Sequence, residues 1–191
     1  IFVAVIVLLV VMAVHFYNRL VELRNRISNA FAQIDVQLKR RHDLVPNLVE
    51  VAKRYMEHEA QTLQAVVAAR NQAQDAMQAA RQQPADAQNM AALAVAEQGL
   101  MGSLSRLLAV AEAYPELKAD ASMRELSEEL SSTENRVGFA RQAYNDAVLE
   151  FNNAAQAFPA LIVARLCNFQ PGAMLQATAS EAERQVPRVQ F

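Results

Sequence analysis

The sequence predicts an all-α protein, with an N-terminal transmembrane helix continuing into an antiparallel, up-and-down four-helix bundle. Three observations carry this. Only 4 of the 191 residues are Gly and 6 are Pro, too few for the turns of a sheet fold, while Ala, Gln, Leu, Glu and Arg dominate. The chain opens with "IFVAVIVLLVVMAV", fourteen apolar residues without a charge. Beyond it, apolar positions recur at spacings of three and four, the period of an amphipathic helix.

The apolar run is the first element. A bilayer core takes about 20 apolar residues in a helix, with a lower limit of about 17. The run falls slightly short, and a start at Ile1 rather than Met indicates further residues upstream. It is apolar on every face, unlike a surface helix, and no small-residue cleavage site follows it, unlike a signal peptide. Phe16 and Tyr17, then Arg19, Arg24 and Arg26, form an aromatic and basic flank expected at the membrane interface. Arginines on this side of the run place the body in the cytoplasm by the positive-inside rule.

Leu20, Leu23, Ile27, Phe31, Ile34 and Leu38 continue the same helix. An unbroken helix from Ile1 to about Arg40 makes anchor and bundle one rod about 60 Å long. The stretch "KRRHDLVP", from Lys39 to Pro46, fits two readings. One is the corner to the second helix, where Asp43 suits a cap and Pro46 a first turn. The other is one long helix kinked at Pro46, since the apolar phase runs on from Leu38 to Val45. The second helix then carries Val45, Leu48, Val49, Ala52, Tyr55, Met56, Leu63, Val66 and Val67. "QQPADAQ" ends it, and Pro84 with Asp86 starts the third, which carries Met90, Leu93, Leu100, Leu104, Leu107, Leu108 and Ala111. Ser122 and Glu125 read as a capping box for the fourth. Leu126, Leu130, Val137, Ala140, Tyr144, Val148, Phe151 and Ala155 line it, and Pro159 stops it. The domains are therefore an anchor (1–17), a bundle (18–158), and a short helix with an extended, loosely ordered tail (159–191).

Charge excludes some functions. The net charge is −2, so no global field draws nucleic acid. Residues 17–54 hold eight Lys/Arg against four Asp/Glu, and the remainder ten against sixteen. The basic knot at Lys39, Arg40 and Arg41 lacks interleaved aromatics. His42 and Asp43 are adjacent and diverge around a helix, so they do not form an acid–base pair. "EHE" at residues 57–59 diverges likewise, and position 62 is Thr where a zinc helix needs His. Gly99 and Gly102 read as close helix packing rather than a phosphate loop. Tyr144 and Asn145 read as a buried hydrogen bond to a neighbouring helix. No catalytic, metal-binding or cofactor-binding residue is assigned, and the single Cys167 excludes an internal disulfide.

Three stretches carry a specific resemblance: "YNRLVELRNRISNAFAQIDVQLKRRHDLVPNLVEVAKRYMEHEAQTL", "LLAVAEAYPELKAD" and "ENRVGFARQAYNDAVLEFNNAAQAFPALIVARL". Over residues 17–166 the chain resembles the LemA family of bacterial membrane proteins. The resemblance implies a membrane helix followed by a four-helix, up-and-down bundle, which makes the Lys39–Pro46 stretch a corner, and it supplies no activity and no catalytic residue. Near the C-terminus the chain reads "LCNFQPGAMLQA" where the family tends toward "LFGF". The expected function is a non-enzymatic scaffold that self-associates into a homo-oligomer. Its expected place is the bacterial inner membrane, single-pass, with lipid as one partner and no nucleic acid. The alternative is a monomeric adaptor recruiting a soluble basic partner. Its docking surface is the acidic corner at residues 112–134, seven Asp/Glu against Lys118 and Arg124, with Glu125, Glu128 and Glu129 as contacts.

Overall fold

The computed structural model describes residues 2–176. It is all-α: α1 (Phe2–Lys53), α2 (Ala60–Gln82), α3 (Ala87–Ala111), α4 (Pro115–Ala119), α5 (Ala121–Gln156) and α6 (Ala160–Leu166). The four long helices make the bundle. α1 packs most extensively on α5, and α2 on α3. Ion pairs fix the directions: Arg19 meets Glu150 while Arg40 meets Glu129, so α1 and α5 are antiparallel. Arg81 pairs with Asp35, which runs α2 back along α1.

α1 does not break at "KRRHDLVP". It runs 52 residues with Pro46 inside it, about 78 Å at 1.5 Å per residue. The corner predicted there moves to residues 54–59, where Met56 is fully buried beneath the turn. The apolar stripe explains why. Leu38, Val45, Leu48, Val51 and Ala52 are all buried on one continuous face, and breaking the helix at Pro46 would turn the later ones away from the core. A mid-helix proline removes one hydrogen bond and crowds the carbonyl four residues back, a cost of about 3 kcal/mol. Here that carbonyl is His42 O, and Arg70 Nε donates to it at 2.8 Å.

Two helix starts differ in kind. Asp86 caps α3 as expected, accepting from Asn89 N at 2.9 Å. α5 is capped by Asp120 rather than by the Ser122–Glu125 box, because Asp120 Oδ1 accepts from both Ser122 N and Met123 N. Tyr55 OH also donates to Asp120, at 3.0 Å. These donors hold the Asp120 carboxyl below its ordinary value, the Met123 amide foremost and the tyrosine next.

The core divides into two apolar clusters along the bundle. The membrane-proximal one joins Leu20 to Leu38 of α1 with Met77, Leu93, Tyr144 and Phe151. The distal one joins Val45 to Met56 with Val66, Leu100, Leu107 and Leu130. All six predicted α1 positions from Leu20 to Leu38 are buried. Residues before Phe16 project beyond the bundle: Phe2, Leu8 and Val11 are 77%, 66% and 61% exposed. An 18-residue window of α1 has mean hydropathy 2.0 and is only 6% buried, so the helix is long and apolar enough to cross a membrane. A soluble core helix of that hydropathy would be covered.

Candidate functional site

Three places hold the residues singled out above. The first is the junction where α1 leaves the bundle. Arg19 and Arg26 both reach Glu22 and Glu150, at 2.7–3.4 Å. Hydrogen bonds from Arg19 and then Arg26 pull the Glu22 carboxyl below its ordinary value. Arg24 instead lays its guanidinium 5.3 Å from the centre of the Phe169 ring. Phe169 also meets Tyr17 edge-on at 5.8 Å and Phe151 at 6.2 Å. The three expected interface arginines thus bind the bundle as well as flanking the apolar run.

Phe169 begins a strap. Residues 168–176 run back along α5 without regular structure, and α5 reads their backbone. Asn152 donates to Gly172 O at 2.9 Å and accepts from Gly172 N at 2.8 Å. Seven residues earlier on the same face, Asn145 donates to Leu175 O at 3.1 Å and accepts from Leu175 N at 2.9 Å. Between these two clamps Tyr144 OH donates to Ala173 O at 2.8 Å. Burial pushes the Tyr144 phenol well above the ordinary tyrosine value, so it stays a donor. Gly172 permits the close approach, since a Cβ there would lie 3.3 Å from Val148 and 3.4 Å from Ala85. Tyr144 and Asn145 therefore bond the C-terminal segment, not a neighbouring helix, and the tail's first part is held rather than loose. Residues 177–191 of the predicted tail lie outside the described residues.

The second place is a charged layer between the two apolar clusters. Arg41 and His42 are each 2% exposed. Arg41 donates to Glu97 at 3.0 Å and also binds Glu134. His42 Nε2 lies 2.7 Å from Glu97 Oε1. A cleft of about 190 Å³ opens beside the layer, between α3 and α5. The partner of His42 is thus Glu97 on α3, not its neighbour Asp43. Every charge of the layer is engaged by another, which makes it a structural cross-brace. Desolvation offsets much of the attraction in a buried ion pair, while removal of one partner leaves the other charge uncompensated.

The third place is the acidic corner. Glu125 and Glu128 are exposed on α5, while Glu129 is engaged by Arg40. Glu57, His58 and Glu59 lie on the α1–α2 turn rather than along a helix, and among the described residues no three His, Cys, Asp or Glu side chains gather to hold a metal. Gly99 and Gly102 face open space, so the close packing expected of them does not occur.

A family model for the LemA family matches residues 30–191. The chain belongs to the LemA family. The match begins inside α1, later than the resemblance at residue 17, and runs through the tail to the last residue. LemA is not a known enzyme family. Family membership and the apolar helix together mark a membrane-anchored helical protein. No curated protein matches the chain.

Proposed function

We propose that this LemA protein is a non-enzymatic scaffold of the bacterial inner membrane that self-associates into a homo-oligomer, with its bundle on the cytoplasmic side. One observation carries the reading: α1 is a single helix shared by the apolar segment and the bundle core. An anchor built this way transmits orientation, and every copy in a membrane stands with the same faces turned sideways. Those faces retain large apolar side chains, including Phe139 at 74%, Val95 at 61% and Val36 at 58% exposed. The outward side of α2 adds Asn71, Gln72, Gln78 and Ala79, exposed side chains of modest size. Arg19, Arg24 and Arg26 support the cytoplasmic side. Light scattering on the protein in mild detergent and in native membrane extracts should give a defined multimer. A monodisperse monomer in both would sink the scaffold.

The adaptor reading keeps one supporting observation. Glu125 and Glu128 are exposed and make no ion pair among the described residues. Pull-downs with Glu125→Lys and Glu128→Lys test it, leaving Glu129 and its Arg40 partner alone. Unchanged partner lists would retire the adaptor.

A further inference from the structure

We infer that α6 is a second membrane contact, a short interfacial helix lying on the bilayer beside the point where α1 enters it. The inference rests on the membrane-anchored reading of α1.

The packing of α6 is inverted for a water-facing helix. Ala160 and Ala164, the small residues, are buried at 6% and 4% exposure. Ile162 and Leu166 stand four residues apart on the helix and are 51% and 81% exposed, and Phe158, in the turn just before it, is 82% exposed. A helix in water buries its large apolar residues, because each one covered gains about 1.5–3 kcal/mol. α6 turns its alanines to α1 and α5 and Ile162 and Leu166 outward, with Leu161 and Val163 half-buried between. That is the pattern of a helix whose outer surroundings are not water. Arg165, exposed beside Leu166, has the long stem that lets a cation reach lipid headgroups from an apolar face.

Position identifies those surroundings. Arg19 and Arg26 both reach Glu150, and α5 runs antiparallel to α1. Equal rise along both helices sets the end of α5, at Gln156, level with about residue 16 of α1. On the other side of α6, Phe169 touches Tyr17. α6 is therefore bracketed at the height of Phe16 and Tyr17, where the exposed apolar run gives way to Arg19. An anchor that spans the bilayer brings this height to the headgroup boundary, and the outward face of α6 with it.

The single cysteine of the sequence, Cys167, follows Leu166 and is exposed, so the chain carries its own reporter site. The protein is labelled there with an environment-sensitive dye and reconstituted into vesicles of phosphatidylcholine and phosphatidylglycerol containing lipids spin-labelled either near the headgroup or deep in the acyl chain. Two companions carry Cys167→Ser with either Leu8→Cys, in the anchor, or Ala113→Cys, at the far end of the bundle. The expected result is a blue shift and loss of emission at Cys167, quenching at Leu8→Cys by deeper spin labels, and none at Ala113→Cys. Replacing Phe158, Ile162 and Leu166 with Ser should abolish the effect at Cys167 while helical content, by circular dichroism, is kept. A quenched Leu8→Cys dye with an unquenched Cys167 dye overturns the α6 contact and leaves the anchor standing. A blue-shifted but unquenched Cys167 dye also overturns it, and assigns the face to another copy of the chain. If the Leu8→Cys dye is itself unquenched, the anchoring reading fails and takes the contact with it.

Discussion

Arg70 Nε donates at 2.8 Å to the backbone carbonyl of His42, the one carbonyl in α1 that Pro46 leaves without its helical donor. A side chain from α2 thus replaces a backbone bond of α1. The helix continues through its proline because another helix satisfies what the proline removed.

Arg70→Ala should therefore destabilise the bundle by about 1–3 kcal/mol, the cost of a carbonyl left without a partner. In a Pro46→Ala background the lost backbone bond returns, and the same Arg70→Ala change should cost much less. Chemical denaturation of the four proteins of this double-mutant cycle, in one detergent, measures the difference. Equal costs in both backgrounds would show that Arg70 acts through something other than this carbonyl.

The strap depends on two amides that each give and take one hydrogen bond. Asn152→Asp keeps the acceptor for Gly172 N but sets a carboxylate oxygen against Gly172 O. It should release the C-terminal segment with little effect on the core, at about 1–2 kcal/mol. Hydrogen exchange of the Gly172 and Leu175 amides reads this directly. Fast exchange at Gly172 with a protected α5 is the expected outcome.

Removing Arg41 leaves Glu97, only 12% exposed at its side chain, with His42 alone. Arg41→Ala should cost about 3–5 kcal/mol, as for other broken buried pairs. Arg41→Lys should recover only part of it, because one ammonium cannot reproduce the fork between Glu97 and Glu134. Pairing Arg41→Met with Glu97→Leu should be milder than either single change, and thermal melts rank the set.

Asp120 gives the distal corner an acid dependence. Its folded pKa is lowered, so the carboxylate stabilises the fold fully above the unfolded value near 3.8. That stability is lost as pH falls through the lower folded value. Asp120→Asn should melt with a flatter pH dependence in this acid range, whereas Ser122→Ala should leave the wild-type dependence intact. Indistinguishable profiles for Asp120→Asn and the wild type would remove Asp120 from its capping role.

The parts legible in the sequence were those with a local signature. Leu20, Leu23, Ile27, Phe31, Ile34 and Leu38 announce a buried stripe by spacing alone, and each is buried. Asp86 behind Pro84 announces a helix start. At Pro46 the unbroken apolar phase also suited one kinked helix, and the break was expected from the family's four helices; the residue that supports the continuous helix, Arg70, lies 28 positions from His42. The charged layer was invisible for the same reason: Glu97 is 55 positions from His42, and Glu134 is 93 from Arg41. Asn145 and Asn152 stand two helical turns apart, a spacing without meaning until an extended segment lies beside them.

Through the continuous α1, anchor and bundle act as one rigid unit. Two glycines inserted after Asn18 test it most directly, since each weakens helix continuity by about 1 kcal/mol while Ile27, Phe31 and Ile34 stay in place. The measurement is oligomeric state in native membrane extracts, set beside the thermal melt of the same protein. A retained melt with lost assembly is the predicted result. Normal assembly of the insertion mutant would contradict the claim and make the apolar segment a flexible tether.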